Sequence, residues 1–224
     1  MQHIGSGLLM LAALTGTQPL AAQNYLKDAL AAQTNGPVYS YQLQYMSPEF
    51  RATARVNPSR ARGQRITVLS PAKSEWGKDE KRALADVDKD AGKAFWCHSF
   101  AKRIPYQSAK LISQTDKTAT YRFVPLPEPG DADDAKIMRN LVGSVVVHKT
   151  KPAILKFGLK APKSFKPAFI ARIKTFVLSA SCARTADGRT YVSRFELNVS
   201  GSAMMQKFTE KETRIHSRLK RAVN

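Results

Sequence analysis

Acidic residues are scarce in this chain. Its 224 residues hold 17 Asp and Glu against 36 Lys and Arg, a formal charge of +19 with histidine neutral. Such an excess draws a protein toward polyanions and anionic surfaces, and it leaves the fold undetermined. Charged side chains of either sign are missing altogether before Lys27. No apolar run reaches the ~20 residues that a membrane-spanning helix needs, which excludes a polytopic membrane protein. Apolar residues make up 43% and charged residues 24%, so disordered and collagen-like chains are excluded as well.

The usual signatures of chemistry are also missing. Of the histidines, His98, His148 and His216 fall in three separate segments, with no His-x-x-x-His or Cys-x-x-Cys pair to hold a metal. Asp86-Val87-Asp88-Lys89-Asp90 opens like a calcium loop, but the sixth position is Ala91 and the twelfth is Cys97. A calcium loop needs glycine and a bidentate glutamate there. Ser-x-x-Lys occurs at Ser70, Ser99 and Ser217, close to what chance supplies from 17 Ser and 20 Lys. Neither a Gly-x-Ser-x-Gly elbow nor a phosphate-cradling glycine loop is present. A thiol dyad of Cys97 with His148 or His216 is the one catalytic pairing left, and a weak one. The reading is therefore of a non-enzyme with no metal and no cofactor.

What is present begins with an export signal. Ile4 to Leu14 is an apolar run, and Gln18-Pro19-Leu20-Ala21-Ala22 follows it as a breaker and small-residue cleavage site. Residues 1–22 read as a signal peptide and residues 23–224 as one mature domain. The residue directly after the cleavage site is Gln23 and not cysteine, so the product is expected to be a soluble protein of the periplasm. Cys97 and Cys182 are either one disulfide, suited to an oxidising compartment, or two buried thiols.

Along the mature chain, residues 24–33 read as a helix stopped by Asn35-Gly36-Pro37. Period-two alternation then places Tyr39, Tyr41, Leu43 and Tyr45 on one face. Strands are expected at 51–57, 64–69, 109–114 and 119–125, with a helical part over 75–103, broken at Gly92 and Pro105, and a short helix from Asp131 to Leu141. Five long strands follow at 142–150, 153–161, 168–182, 189–201 and 204–216. In the fourth, Tyr191, Ser193, Phe195, Leu197 and Val199 alternate with Val192, Arg194, Glu196 and Asn198. The apolar face predicts an α+β domain whose antiparallel sheet buries one side under a few helices. Candidate residues for lining a cavity on that side are Tyr39, Tyr41, Tyr45, Tyr121, Phe123, Tyr191 and Phe195. Residues 135–224 carry 19 Lys and Arg against 4 Asp and Glu. Lys156, Lys160 and Lys163 in that half are the candidates for meeting an anionic headgroup or membrane surface. Nucleic acid is the poorer partner for an exported protein, although Phe157, Phe165, Phe169 and Phe176 interleave with the charge.

Several phrases carry a resemblance. They are Val38-Tyr39-Ser40-Tyr41-Gln42-Leu43-Gln44-Tyr45, Ala119-Thr120-Tyr121-Arg122-Phe123, Leu141-Val142-Gly143-Ser144-Val145-Val146-Val147, and the segment Lys160–Phe169 before the closing strands. With a signal peptide, a short first helix and a helical insertion, their order resembles the bacterial periplasmic lipoprotein carriers, the LolA/LolB-like half-barrels. The resemblance implies a strongly curved antiparallel sheet of about ten strands, with two or three helices over its concave face. It also implies an apolar cavity for acyl chains of a lipid or acylated ligand, and no catalysis. The alternatives are an envelope scaffold that binds a protein partner, or a polyanion-binding protein. The oligomeric state is left open by the sequence.

Overall fold

A computed structural model describes residues 20–32, 34–72, 75–91 and 95–222. Residues 1–19 of the expected signal segment lie outside the described residues, while Leu20, Ala21 and Ala22 begin the first helix, α1 (Leu20–Leu30). Leu26 and Ala29, three positions apart, are each 1% exposed. That spacing puts them on one helical face, which packs against three strands of the sheet introduced below.

The chain then runs β1 (Tyr39–Met46), β2 (Arg51–Val56), β3 (Ile66–Ser70) and α2 (Lys78–Asp90). A seven-residue 3-10 helix, Cys97–Arg103, leads to β4 (Lys110–Gln114), β5 (Thr118–Phe123) and α3 (Ala132–Met138). Asp131 caps α3 by accepting from the Asp133 and Asp134 amides at 3.0 and 2.9 Å, which accounts for the acids at that helix start. The last stretch holds β6 (Val142–His148), β7 (Ala153–Lys160), β8 (Phe165–Ala168), β9 (Ala171–Arg184), β10 (Thr190–Ala203) and β11 (Gln206–Arg221).

The eleven strands form one antiparallel sheet in the order β3-β2-β1-β11-β10-β9-β7-β6-β5-β4, with β8 added to β9. The first strand pairs with the last, yet β3 and β4 remain free edges, so the sheet is not a closed barrel. The class is α+β. The helix α1 rests on β5, β6 and β7, and the 3-10 helix rests on β7 and β10.

Two apolar clusters fill the inner face. One gathers Leu26, Tyr121, Val145, Val147, Ile154, Phe157 and Val192. The other joins Tyr39, Tyr41, Leu43 and Val56 to Val87, Ala91 and Phe95. Each large side chain so buried stabilises the fold by roughly 1.5–3 kcal/mol. Gly143 is needed in the first cluster: a Cβ there would lie 2.2 Å from the Phe123 ring.

Three expectations are corrected. The helical part expected over 75–103 forms as α2 to Asp90 and as the 3-10 helix from Cys97, but Trp96 between them is extended: it bridges Tyr191 of β10, and the Val192 amide donates to the Phe95 carbonyl at 2.8 Å. The strand expected from 168 begins at Ala171, with Phe169 and Ile170 forming its turn and Phe165–Ala168 a separate strand. In β10 the pairing jumps from Val192↔Cys182 to Arg194↔Ser181, so Ser193 is an extra, bulged residue. A bulge resets the period of two, and Val192 is buried at 2% exposure instead of facing water.

Candidate functional site

Cys97 and Cys182 are bonded to each other. The bond ties the first residue of the 3-10 helix to β9, and Phe100 on the same helix stacks on Phe157 of β7 at 4.4 Å and 5°. This clamped helix separates two cavities, and Ser99 lines both.

The larger is a half-open cleft of about 490 Å³. Its apolar wall is Ala29 and Ala32 from the end of α1, Trp96, and Pro152, Ala153 and Ile154 at the start of β7. Its polar rim is His98, Lys151, Arg184 and the turn Asp187-Gly188-Arg189. Arg189 is buried and fully engaged. It pairs with Asp187 at 2.7 Å, lies 3.9 Å above the Trp96 ring, and donates to the Thr34 and Pro37 carbonyls. Burial pushes the Asp187 carboxyl up, but hydrogen bonds from Thr185 and Arg189 and the Arg189 charge outweigh it, leaving the group below the ordinary range. This pair holds the rim in shape and cancels its own charge.

Lys151 and Arg184 differ. Arg184 donates to the Gly188 and Lys151 carbonyls at 2.6 and 3.0 Å, and neither side chain has an acidic partner among the described ion pairs. The local potential is positive, as nearby His148 shows: burial, then Arg184, Lys151 and Lys117, hold its pKa below the usual value. Burial also lowers His98, whose Nδ1 is buried without a hydrogen-bond partner. The cleft therefore offers an apolar wall, a neutral imidazole and two cations at the mouth.

The smaller cavity, about 160 Å³, lies between the two core clusters. Tyr41, Phe95, Phe100 and Phe195 surround it, with Arg214 and His216 from β11. Phe95 is sandwiched between Tyr41 at 4.4 Å and Tyr191 at 5.3 Å. Arg214 pairs with Glu212 and sits over the Tyr45 and Phe195 rings. Burial lowers His216 to about 4, against a hydrogen bond to the Val192 backbone, with Arg214 adding to the lowering. Its Nδ1 is buried and unpartnered. Burial raises the Tyr41 hydroxyl above its ordinary value.

The seven aromatic candidates do not form one lining. Tyr41 and Phe195 border the smaller cavity, and Tyr45 touches its arginine. Tyr39 and Tyr191 flank Trp96 and Phe95. Tyr121 and Phe123 are packed core, 1% and 4% exposed. Lys156 and Lys160 are exposed on β7, on the face away from Phe157 and Leu159, and Lys163 is exposed in the turn toward β8. The cleft residues Trp96, Arg184 and Arg189 were not anticipated, whereas Lys151 belongs to the basic stretch from Lys149 to Lys174. That stretch was the only signal, and it named no pocket.

Cys97 has no thiol to offer either His148 or His216, since its sulfur is bonded to Cys182. Among the described residues no three His, Cys, Asp or Glu side chains gather closely enough to hold a metal ion, and no helix is long and apolar enough to cross a membrane. Comparison with protein-family models, curated proteins and solved structures returns no match.

Proposed function

We propose that this protein is an exported, non-catalytic carrier of an anionic amphiphile. The apolar part of the ligand occupies the cleft beneath α1 and the 3-10 helix, and its headgroup meets Lys151 and Arg184. The observation that carries this reading is the cleft itself. Its volume of about 490 Å³ falls within the ~300–1,000 Å³ usual for small-molecule sites, and its apolar wall with a few convergent polar groups is their usual construction. The disulfide supports export, because such bonds persist in oxidising compartments such as the periplasm. In this reading the open sheet is strongly curved, as in the lipoprotein-carrier half-barrels, and the helices cover its concave side.

Trp96 forms part of the cleft wall, so its fluorescence reports occupancy. Titration with lysophosphatidylglycerol is expected to shift Trp96 emission and to saturate. Ala32→Trp fills the cleft and is expected to abolish the shift. Lys151→Glu is expected to weaken the anionic probe about tenfold, or about 1.4 kcal/mol, while leaving lysophosphatidylcholine unchanged. Equal responses of the unaltered chain and Ala32→Trp would overturn the assignment.

A further inference from the structure

Large apolar side chains are exposed in two adjacent turns of the sheet. Phe169 is 97% exposed and Ile170 58% in the β8–β9 turn, and Met204 is 71% and Met205 99% in the β10–β11 turn. The two turns lie side by side, with the Met204 amide donating to the Ile170 carbonyl at 2.9 Å. A contiguous exposed apolar patch of this kind marks a surface that something covers.

The backbone adds an independent observation. Ala203 pairs with Gln206, leaving Met204 and Met205 as a two-residue turn, and their φ angles are +48° and +65°. Both central residues of such a turn want positive φ, which Asn-Gly supplies at least cost. Here two methionines occupy it instead, strained and in water. The residues best suited to stability are absent from the position where an inserting side chain would project furthest.

Charge identifies what covers the patch. Lys166 and Arg172 border it, and Lys207 follows in β11. No Asp or Glu occurs from Ala135 to Ala186. Exposed aromatic and thioether groups ringed by cations, with no acid between them, fit the headgroup boundary of an anionic bilayer.

We infer that the paired β8–β9 and β10–β11 turns form a membrane-docking tip. Phe169, Ile170, Met204 and Met205 enter the interface, and Lys166, Arg172 and Lys207 hold anionic headgroups. This does not depend on the carrier reading. Met204 lies nine residues along β10 from Phe195 at the smaller cavity, about 30 Å at ~3.3 Å per residue. Lys156 is similarly distant along β9, since it pairs with Ser181 while the tip begins at Ala171.

The test is co-sedimentation of the full chain with phosphatidylcholine vesicles, with and without phosphatidylglycerol, at low and high salt. Binding is expected only with the anionic lipid, and to weaken with salt. The double variant Met204→Asn, Met205→Gly relaxes the turn and keeps the fold, and is expected to bind about tenfold more weakly. Phe169→Ser is expected to weaken binding in the same direction, and Lys156→Glu to leave it unchanged. Three results would overturn the inference. One is undiminished binding by the double variant, and another is loss of binding with Lys156→Glu alone. The third is no vesicle binding, together with a dimer in sedimentation velocity that the double variant dissolves, which would assign the patch to a second copy of the chain.

Discussion

His216 is the residue whose environment makes the sharpest prediction. Burial lowers it to about 4, so the folded ring is neutral, whereas an unfolded histidine titrates near ~6.5. Between those values the unfolded chain binds a proton that the folded chain does not. Stability is therefore expected to fall as pH drops from about 6.5 to about 4, by up to ~1.4 kcal/mol per pH unit, and to level off below. His98 and His148 are shifted in the same direction. The lowered carboxyls Asp187 and Glu196 act further down, below the ordinary carboxylate range. Denaturant midpoints of His216→Gln measured across this window should show a shallower slope than the unaltered protein, and an equal slope would assign the acid sensitivity to the other histidines. The inward position of His216 was not legible in the sequence. Hydrophobic alternation marks inward residues only where they are apolar, and in β11 the inward set opposite Leu197, Phe195 and Leu43 is Glu212, Arg214 and His216. Tyr39, Tyr41 and Leu43 do alternate in the sequence, and all three are buried at 6%, 4% and 1% exposure.

At the scale of elements, the 3-10 helix depends on its covalent anchor. The disulfide closes a loop of 85 residues, and a chain-entropy estimate gives it up to about 4.5 kcal/mol. The double variant Cys97→Ala, Cys182→Ala is expected to lower the guanidinium midpoint by a corresponding amount and to weaken ligand binding, because Trp96, His98 and Ser99 lie on or beside the released helix. An unchanged midpoint would show that the helix is held by packing alone. The β10–β11 turn should move the other way. Replacing Met204 by Asn and Met205 by Gly relieves two left-handed residues and is expected to raise stability by about 1–2 kcal/mol. Most strands were legible because their turns are punctuated, as at Lys151-Pro152 and Asp187-Gly188. The exceptions share a cause. The extended Trp96, the bulge at Ser193 and the short β8 are each fixed by pairing with β9 or β10, and such distant partners leave no mark on local periodicity.

At the scale of the molecule, the sheet order explains why the charge is divided. The basic half of the chain supplies β6 to β11, which occupy the centre of the sheet, while α1 rests on β5, β6 and β7 and the 3-10 helix on β7 and β10. A carrier needs these two properties in different places: an apolar recess that excludes water, and a surface drawn to the membrane from which its ligand comes. Composition revealed the charge, but not that the recess lies beside Trp96 and Arg184, because those residues come to one cleft only when β9, β10 and the 3-10 helix are assembled. The most direct test of the account is native mass spectrometry of the protein isolated gently without detergent, followed by solvent extraction of whatever it carries. A stoichiometric anionic amphiphile, absent from the Ala32→Trp variant, is the predicted result. An empty mass that stays unchanged after incubation with envelope lipids would contradict it.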